Sequence, residues 1–232
     1  MDEKDDDDGV TVVEWSDIQR AVHEHGDQPV RIGLDLETTG FSPATEAITQ
    51  IGVACVFGDG RRIVSSTLLQ LPVGRVIPPR VVQLTGITTE ACAEFGLAPD
   101  TALDTLWGVI GRETLLVGHS IRRFDMKFLR KALRNNPTRH IQACHLLDAR
   151  CIDSCDVARA YFPKGTSCKL GDLQKRLGVV LPERLSTLHR ADADALLADR
   201  VLEECVALLG ITFYAARRIG LKKPPPNKQV AR

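Results

Sequence analysis

Two carboxylates separated by one residue stand near the end of an apolar segment, at Asp35 and Glu37. The segment 32–40 alternates like a β-strand and then stops at a turn, so both side chains are expected on one face, roughly 6–7 Å apart. Two like charges in this position repel each other unless a cation lies between them, and a hard divalent metal ion prefers oxygen ligands. An exposed strand edge is the alternative, so a metal site requires further ligands elsewhere in the chain.

Three other residues could supply such ligands or assist them. Asp125 follows a short apolar strand and a loop, in the first turn of a predicted helix, where a carboxylate also has the structural role of interacting with the helix dipole. His189 precedes the longest predicted helix, and Asp194 lies in the first turn of that helix. Because helical side chains tilt toward the N-terminus of their helix, Asp194 is expected to point back toward His189. A lone histidine in such a loop is otherwise an ordinary surface or capping residue.

The elements that position these residues form an α/β pattern. Strand-like segments lie at about 30–37, 48–57 and 61–70, and the turn 58–60 joins the last two, which predicts an antiparallel meander. Shorter strands at 114–118 and 147–152 alternate with helices. The remaining pattern predicts helices at about 16–25, 80–84, 89–95, 100–111, 124–134, 154–162, 169–177 and 192–209. We therefore predict a single mixed five-stranded sheet, an antiparallel meander followed by parallel strands, with helices on both faces and the site at the strand ends.

Bulk composition limits the classes of function. The 232 residues carry 30 basic and 30 acidic side chains, so attraction to a polyanion requires a local patch or bound metal. No apolar run approaches 18 residues and no leader precedes the first strand, which predicts an intracellular protein, cytoplasmic or nuclear, neither secreted nor bound to a membrane. The seven cysteines form no disulfide framework. A zinc site built from Cys144, Cys151, Cys155 and Cys168 is disfavoured because their spacing matches no common ligand pattern.

The chain divides into one domain and two tails. Residues 1–9 are an acidic run that is expected to be disordered, and 10–215 are expected to form one folded domain. Residues 216–232 are basic and contain proline. They are interpreted as a solvated tail, with a nucleic-acid contact or a nuclear-import signal as alternatives.

Taken together, the motifs resemble those of the DnaQ-like DEDDh 3′–5′ exonucleases. Residues 35–40 match D-x-E-T-T-G, residues 119–125 resemble the second motif, residues 189–194 match H-x-A-x-x-D, and residues 84–88 look like the H-G-I-T segment. The resemblance covers about 30–208, implies a ribonuclease H-like fold, and looks closest to the three-prime repair exonuclease branch. That branch is favoured by the spacing from His119 to Asp125 and by the helix at 169–177. The chain departs from the pattern at Ser120, where Asn is usual, at Thr85, where His is usual, and in lacking the branch's Pro-rich insertion.

The resemblance implies a metal-dependent 3′–5′ exonuclease that hydrolyses phosphodiester bonds from 3′ ends of single-stranded or frayed DNA, releasing nucleoside 5′-monophosphates. Two divalent ions, Mg²⁺ or Mn²⁺, would be held by Asp35, Glu37, Asp125 and Asp194, with Asp35 shared by both ions. His189 would be the general base. The predicted contacts to the terminal nucleotide are Leu36, Thr38, Thr39, Gly86, Ile87 and His119.

Three alternatives use the same motifs. The substrate could be the 3′ end of RNA, or the chain could be the proofreading subunit of a polymerase, although no segment for a polymerase partner is evident. A non-catalytic nucleic-acid-binding module on the same fold is disfavoured because all five site positions are filled. The sequence leaves open whether the chain forms a homodimer.

Overall fold

The computed structural model describes residues 9–133, 150–186 and 190–221. Within these ranges the strands form one mixed sheet in the order β1-β4-β3-β2-β5-β6. β2 pairs antiparallel with β3, and β3 with β4, whereas β1 pairs parallel with β4, and β5 lies parallel between β2 and β6. The strands span Val10–Val12 (β1), Arg31–Thr38 (β2), Ile48–Val56 (β3), Arg62–Leu68 (β4), Leu115–Gly118 (β5) and Cys151–Asp153 (β6).

Helices cover both faces of this sheet. They span Ile18–His25 (α1), Pro79–Thr85 (α2), Thr89–Phe95 (α3), Pro99–Val109 (α4), Asp125–Leu133 (α5), Ser154–Tyr161 (α6), Leu170–Leu177 (α7), Ala191–Leu209 (α8) and Phe213–Ala216 (α9). One core layer joins the sheet to α1, α4 and α5, and a second layer joins it to α6, α7 and α8. The predicted α/β class, with a meander followed by parallel strands, is confirmed.

The predicted strand number of five is wrong, because the described sheet has six strands. The missed strand, β1, is only three residues long and follows the acidic run, so it has no room to show an alternating pattern. Its backbone pairs with β4 at Val10 opposite Arg62 and buries Val10, which is 2% exposed. A β-branched triplet at a chain end can therefore add an edge strand that periodicity cannot detect.

Two strand glycines allow α8 to lie very close to the sheet. A Cβ added at Gly52 would stand 2.0 Å from the backbone carbon of Ala191, and one added at Gly33 would stand 2.3 Å from the carbonyl oxygen of Ala195. Neither position could carry a side chain without displacing the helix. Since Gly52 is paired across β2 and β3 with Asp35, this contact brings the first turn of α8 beside that carboxylate.

The middle of α8 is held to the sheet by buried ion pairs. The Arg31 guanidinium makes two hydrogen bonds to the Asp199 carboxylate, at 2.7 and 3.0 Å, and Arg62 lies 2.7 Å from Glu203. Asp199 is fully buried and Arg31 is 7% exposed. Removing one partner of such a pair would leave an uncompensated buried charge, so the pairs fix the register of α8 on β2 and β4.

We predict that Gly52→Ala destabilises the protein by about 3 kcal/mol, because the new methyl group meets the backbone of α8 rather than a movable side chain. Urea unfolding of the purified protein measures the loss. Gly58→Ala is the matched control, since its Cβ would meet nothing closer than a Val30 methyl at 3.9 Å, and should change stability by about 0.5 kcal/mol or less. Equal losses in the two variants would contradict the proposed close contact.

Candidate active site

Three carboxylates meet at one edge of the sheet. Asp35 and Glu37 project from the same face of β2, close to its carboxyl end, and Asp194 comes from the first turn of α8. One ligand oxygen of each residue lies within 4.8 Å of the others. Oxygens at such spacing can share a hard divalent cation.

A glutamine on β3 helps to hold Asp194 in place. The backbone N–H of Ala191, at the start of α8, donates a 3.1 Å hydrogen bond to the Gln50 side-chain oxygen. Gln50 stands directly opposite Glu37 in the β2–β3 pair. It therefore connects the strand of the paired carboxylates to the helix that carries Asp194. The sequence analysis did not identify Gln50, because its role depends on cross-strand register.

Asp125 stands beside this group rather than within it. It begins α5, is 2% exposed, and accepts a 3.1 Å hydrogen bond from the backbone N–H of Leu36. The β2–β5 pairing covers only Arg31 to Gly33 on β2, so the N–H of Leu36 is free of the β5 ladder and can bond to the carboxylate. Asp125 is thus fixed to the residue that lies between Asp35 and Glu37.

The electrostatics show that the carboxylates disfavour each other's charge. Burial, followed by the charges of Asp125, Asp194 and Glu37, raises the pKa of Asp35 well above its usual value. Burial and the charges of Asp194 and Asp125 raise the pKa of Glu37 to about 8, and burial raises the pKa of Asp125 to about 7. An all-oxygen donor set that resists ionisation without a counter-charge fits divalent metal ions, which would compensate the charge.

His189 lies outside the described residues, together with positions 187 and 188. Its predicted role as general base therefore rests on its position in the chain, five residues before Asp194. Arg190, the next described residue, is the N-cap of α8, and its carbonyl accepts the N–H of Asp194 at 2.9 Å. The chain thus enters α8 immediately after His189.

The predicted nucleotide contacts on β2 are buried and partly occupied by internal bonds. Leu36 is 3% exposed and belongs to the core layer of α4 and α5. The Thr38 hydroxyl donates to the carbonyl of Gly40 at 2.7 Å. The Thr39 hydroxyl donates to the Glu46 carboxylate and accepts from the backbone N–H of Ala47. The two threonines therefore also shape the β2–β3 connection.

Gly86 and Ile87 directly follow α2. Gly86 has a φ of 72°, the left-handed conformation that favours glycine at a helix C-cap. Ile87 is 8% exposed and packs in a small cluster with Ile77 and Cys92. Thr85 stands where the DnaQ-like family usually has histidine. Its hydroxyl donates to the carbonyl of Val81 and accepts from the backbone N–H of Ile87. This segment is a rigid turn, and its contact with a nucleotide stays a prediction.

The His119 ring is already bonded within the protein. One nitrogen, Nε2, lies 2.8 Å from the carbonyl oxygen of Cys168, and Nδ1 lies 3.0 Å from the Ser154 hydroxyl. Because a carbonyl only accepts, Nε2 carries the proton, and the neutral ring accepts from Ser154 at Nδ1. Burial lowers the pKa of His119, which favours this neutral form. The predicted role of His119 in substrate binding therefore stays untested, and its observed partners are internal.

Ser120 adopts a backbone conformation that accounts for the asparagine usually found at this position of the motif. Its φ is 64°, and its N–H donates to the Asp153 carboxylate at 3.0 Å. Asparagine tolerates this left-handed region better than serine does. The usual asparagine of the motif thus matches the geometry of this turn, and serine adopts it here with the help of the Asp153 bond.

The cysteines do not gather as metal ligands among the described residues. Burial raises the pKa of the Cys151 thiol to about 12, and Cys155 is likewise buried. The Cys155 thiol points at the Cys168 carbonyl at 3.6 Å. Cys144, the fourth residue of the disfavoured zinc set, lies outside the described residues.

The mixed sheet, with its antiparallel meander followed by parallel strands and with helices on both faces, has the ribonuclease H-like fold. The sequence profile of the RNase_T exonuclease family matches residues 32–202, and the chain belongs to this exonuclease family. The predicted membership of the DnaQ-like 3′–5′ exonuclease family is thereby confirmed. The assignment to the three-prime repair branch stays a prediction.

Two curated relatives share about a quarter to a third of the aligned residues. The 3′-5′ exonuclease DinG of Staphylococcus saprophyticus is 26% identical over 170 residues, which cover 72% of this chain and 17% of the relative. The PolC-type DNA polymerase III of Mycoplasmopsis pulmonis is 30% identical over 161 residues, which cover 69% of this chain and 10% of the relative. The chain therefore spans less than a fifth of either protein.

Solved structures share the fold at lower identity. The zinc-bound complex of Escherichia coli exonuclease I with single-stranded DNA superposes with a TM-score of 0.68 at 21% identity, covering 82% of this chain and 42% of that one. Schizosaccharomyces pombe Pop2p, bound to Mg²⁺ and Mn²⁺, gives a TM-score of 0.64 at 17% identity, covering 86% of this chain and 92% of that one. Since both identities are low, these structures show the fold.

We predict that Glu37→Gln stabilises the metal-free protein increasingly as the pH rises from about 5 to 8. A carboxyl group whose pKa is raised in the native state binds more protons there than in the unfolded chain. Its contribution to stability is therefore present below the unfolded pKa and is lost as the pH rises through the native value, which is about 8 for Glu37. At pH 8 the neutral glutamine should raise the free energy of unfolding by about 1 kcal/mol or more, or about 2–4 °C in Tm.

Thermal unfolding in the presence of a chelator, at pH 5, 6, 7 and 8, measures this difference. Asp27→Asn removes an exposed carboxylate before β2, far from the site, and should shift Tm equally little at every pH. A Glu37→Gln curve parallel to that of the unsubstituted protein would contradict the prediction.

Proposed function

We propose that this protein is a metal-dependent 3′–5′ exonuclease that hydrolyses phosphodiester bonds from the 3′ ends of single-stranded or frayed DNA and releases nucleoside 5′-monophosphates. The main observation in support is the group formed by Asp35, Glu37 and Asp194, whose ligand oxygens lie within 4.8 Å of one another. The group stands on a chain that belongs to an exonuclease family. Asp125, bonded to the Leu36 N–H, supplies a fourth carboxylate next to them.

Two divalent ions, Mg²⁺ or Mn²⁺, would be held by these four carboxylates and would neutralise the phosphoryl oxygens and lower the pKa of a nucleophilic water. The chain's own contribution is to fix the donors. β2 places Asp35 and Glu37 on one face, the Leu36 N–H orients Asp125, and the Gln50 bond positions the first turn of α8. His189, which precedes this helix, would accept the proton of the attacking water at an imidazole nitrogen.

Similar solved structures support the proposed substrate class. The solved exonuclease I structures are complexes with single-stranded DNA and with a dT13 oligonucleotide, and the Pop2p structure holds Mg²⁺ and Mn²⁺. A single-stranded 3′ end would enter beside Leu36, Thr38 and Ile87, whose side chains are 3%, 7% and 8% exposed, so only the edges of these apolar and hydroxyl groups would face an unpaired terminal nucleotide. An RNA 3′ end would meet the same groups, so the test includes both polymers.

Cellular location and assembly remain predictions. In the part of the chain that the structure describes, no helix has the length and apolar character needed to cross a membrane. The intracellular location and the homodimer stay expectations of the sequence analysis.

We predict that Asp35→Ala and Asp194→Ala each abolish hydrolysis, because each removes a donor from the group whose oxygens lie within 4.8 Å. His189→Ala should lower the rate by about two to four orders of magnitude, as loss of a general base does, while metal binding is retained. Activity is measured on a 5′-labelled single-stranded oligonucleotide at pH 8 with Mg²⁺ or Mn²⁺, by the ladder of shortened products and by the released mononucleotides. Asp27→Asn should retain full activity, which controls for loss of an acidic residue.

Matched DNA and RNA oligonucleotides, single-stranded and with paired 3′ ends, distinguish the alternatives in one experiment. Faster shortening of single-stranded DNA supports the proposal. Faster shortening of RNA would mean that the substrate is RNA and not DNA. If folded protein leaves every substrate intact with either metal, the chain is not an exonuclease of this type.

A further inference from the structure

Two half-exposed arginines share one carboxylate close to the site. Arg123 and Arg159 lie 2.6 and 3.2 Å from the same oxygen of Asp156. Their side chains remain 55% and 51% exposed, whereas Asp156 is 7% exposed. A third guanidinium, that of Arg122, approaches Asp156 at 3.8 Å but is occupied by backbone carbonyls, including that of Cys151. The local charge is therefore positive although the whole chain is neutral.

The positive charge continues along α6 to an aromatic cavity. Arg159, Phe162 and Lys164 line a cavity of about 310 Å³. The Arg176 guanidinium lies 5.6 Å from the centre of the Phe162 ring, and the exposed Tyr161 ring packs edge-on against Phe162 at 4.9 Å. In the described ranges, Lys164 and Arg176 are exposed and form no ion pair. These cations are therefore available to an anionic ligand.

This surface, Arg123–Arg159–Phe162–Lys164–Arg176, is connected to the carboxylate edge. Arg123 stands two residues before Asp125. The loop that carries Lys164 is fastened near the end of β5 by the bond from His119 to the Cys168 carbonyl. From Asp156 to Phe162 the chain advances about 9 Å along α6, so the cations are spread over roughly that length of the protein surface.

We propose that this surface binds the phosphodiester backbone of the single-stranded nucleic acid whose 3′ end occupies the carboxylate site. The inference rests on the proposed function and assigns the strand's path. Guanidinium and ammonium groups bind phosphates, and exposed aromatic rings stack on unpaired bases without reading sequence. Because the net charge is zero, affinity for a polyanion must come from such a local surface, and this one begins beside the site.

The test uses Lys164→Gln/Arg176→Gln, since neither residue belongs to the carboxylate site and neither is ion-paired in the described ranges. The control is Arg61→Gln/Arg112→Gln, which removes the same charge from exposed residues that precede β4 and β5, at the end of the strands remote from the carboxylates. Binding of a 5′-labelled 16-nucleotide oligothymidylate is measured by fluorescence anisotropy with chelator present, which prevents hydrolysis. A 16-nucleotide oligouridylate is the RNA arm.

We expect the surface variant to weaken binding on the order of tenfold at 0.1 M salt. It should also lower the slope of log affinity against log salt by about 1.4, since each lost phosphate contact on a single strand contributes about 0.7. The control variant should bind within about twofold of the unsubstituted protein. Equal weakening in both variants, no weakening in either, or no binding of either oligonucleotide by the unsubstituted protein would overturn the assignment.

Hydrolysis provides a second readout that separates the two proposals. With metal present, the surface variant should raise KM for the 16-nucleotide substrate and leave kcat for a dinucleotide unchanged, because a dinucleotide is too short to reach the surface. Binding without hydrolysis would reject the exonuclease activity while retaining the surface. Hydrolysis with an unchanged KM in the variant would reject the surface alone.

Discussion

The site depends on the close contact between α8 and the sheet. Side chains normally separate the backbone of a helix from the sheet beneath it, yet here Ala191 and Ala195 occupy the space that side chains at Gly52 and Gly33 would fill. Only this approach brings Asp194, which lies between those two alanines, to the two carboxylates of β2. The positions of the carboxylates on two different elements are thus determined by glycines and alanines that take no part in the chemistry. A methyl group added at either glycine would move the carboxylates apart.

The same contact has an electrostatic cost that other interactions must offset. Burial and mutual repulsion raise the pKa values of Asp35 and Glu37, so the metal-free site opposes the packing that forms it. About one and a half and two and a half turns beyond Asp194 on α8, Asp199 and Glu203 pair with Arg31 and Arg62 and hold the helix on the sheet. Repulsion at the start of the helix and pairing along its middle together explain how donors can be preorganised before metal binds, at the expense of stability.

The sequence was sufficient to predict what depends on local periodicity. Strand alternation placed Asp35 and Glu37 on one face, and the tilt of helical side chains directed Asp194 toward the start of α8. It did not predict the Gln50 bond or the shared position of Arg123 and Arg159 on Asp156, because these depend on which distant elements become neighbours. Gly33 and Gly52 did carry a signal: glycine inside a β-branched strand marks a place where another backbone approaches closely. The edge strand β1 was too short to show any period.

Zero net charge conceals a separation of charge that suits an end-directed enzyme. The carboxylates gather at the end of β2 and the start of α8, where they repel a bare polyanion, while the cations of the proposed surface lie on and around α6, with Lys164 and Arg176 free of ion pairs among the described residues. A nucleic acid strand would then be attracted to the cationic surface first, and its terminus would be accepted at the carboxylate edge only when divalent ions reverse the charge there. Affinity and chemistry thus reside on different elements, and the short loop from His119 to Asp125 connects the two. Metal would therefore control entry of the 3′ end more strongly than it controls binding of the strand.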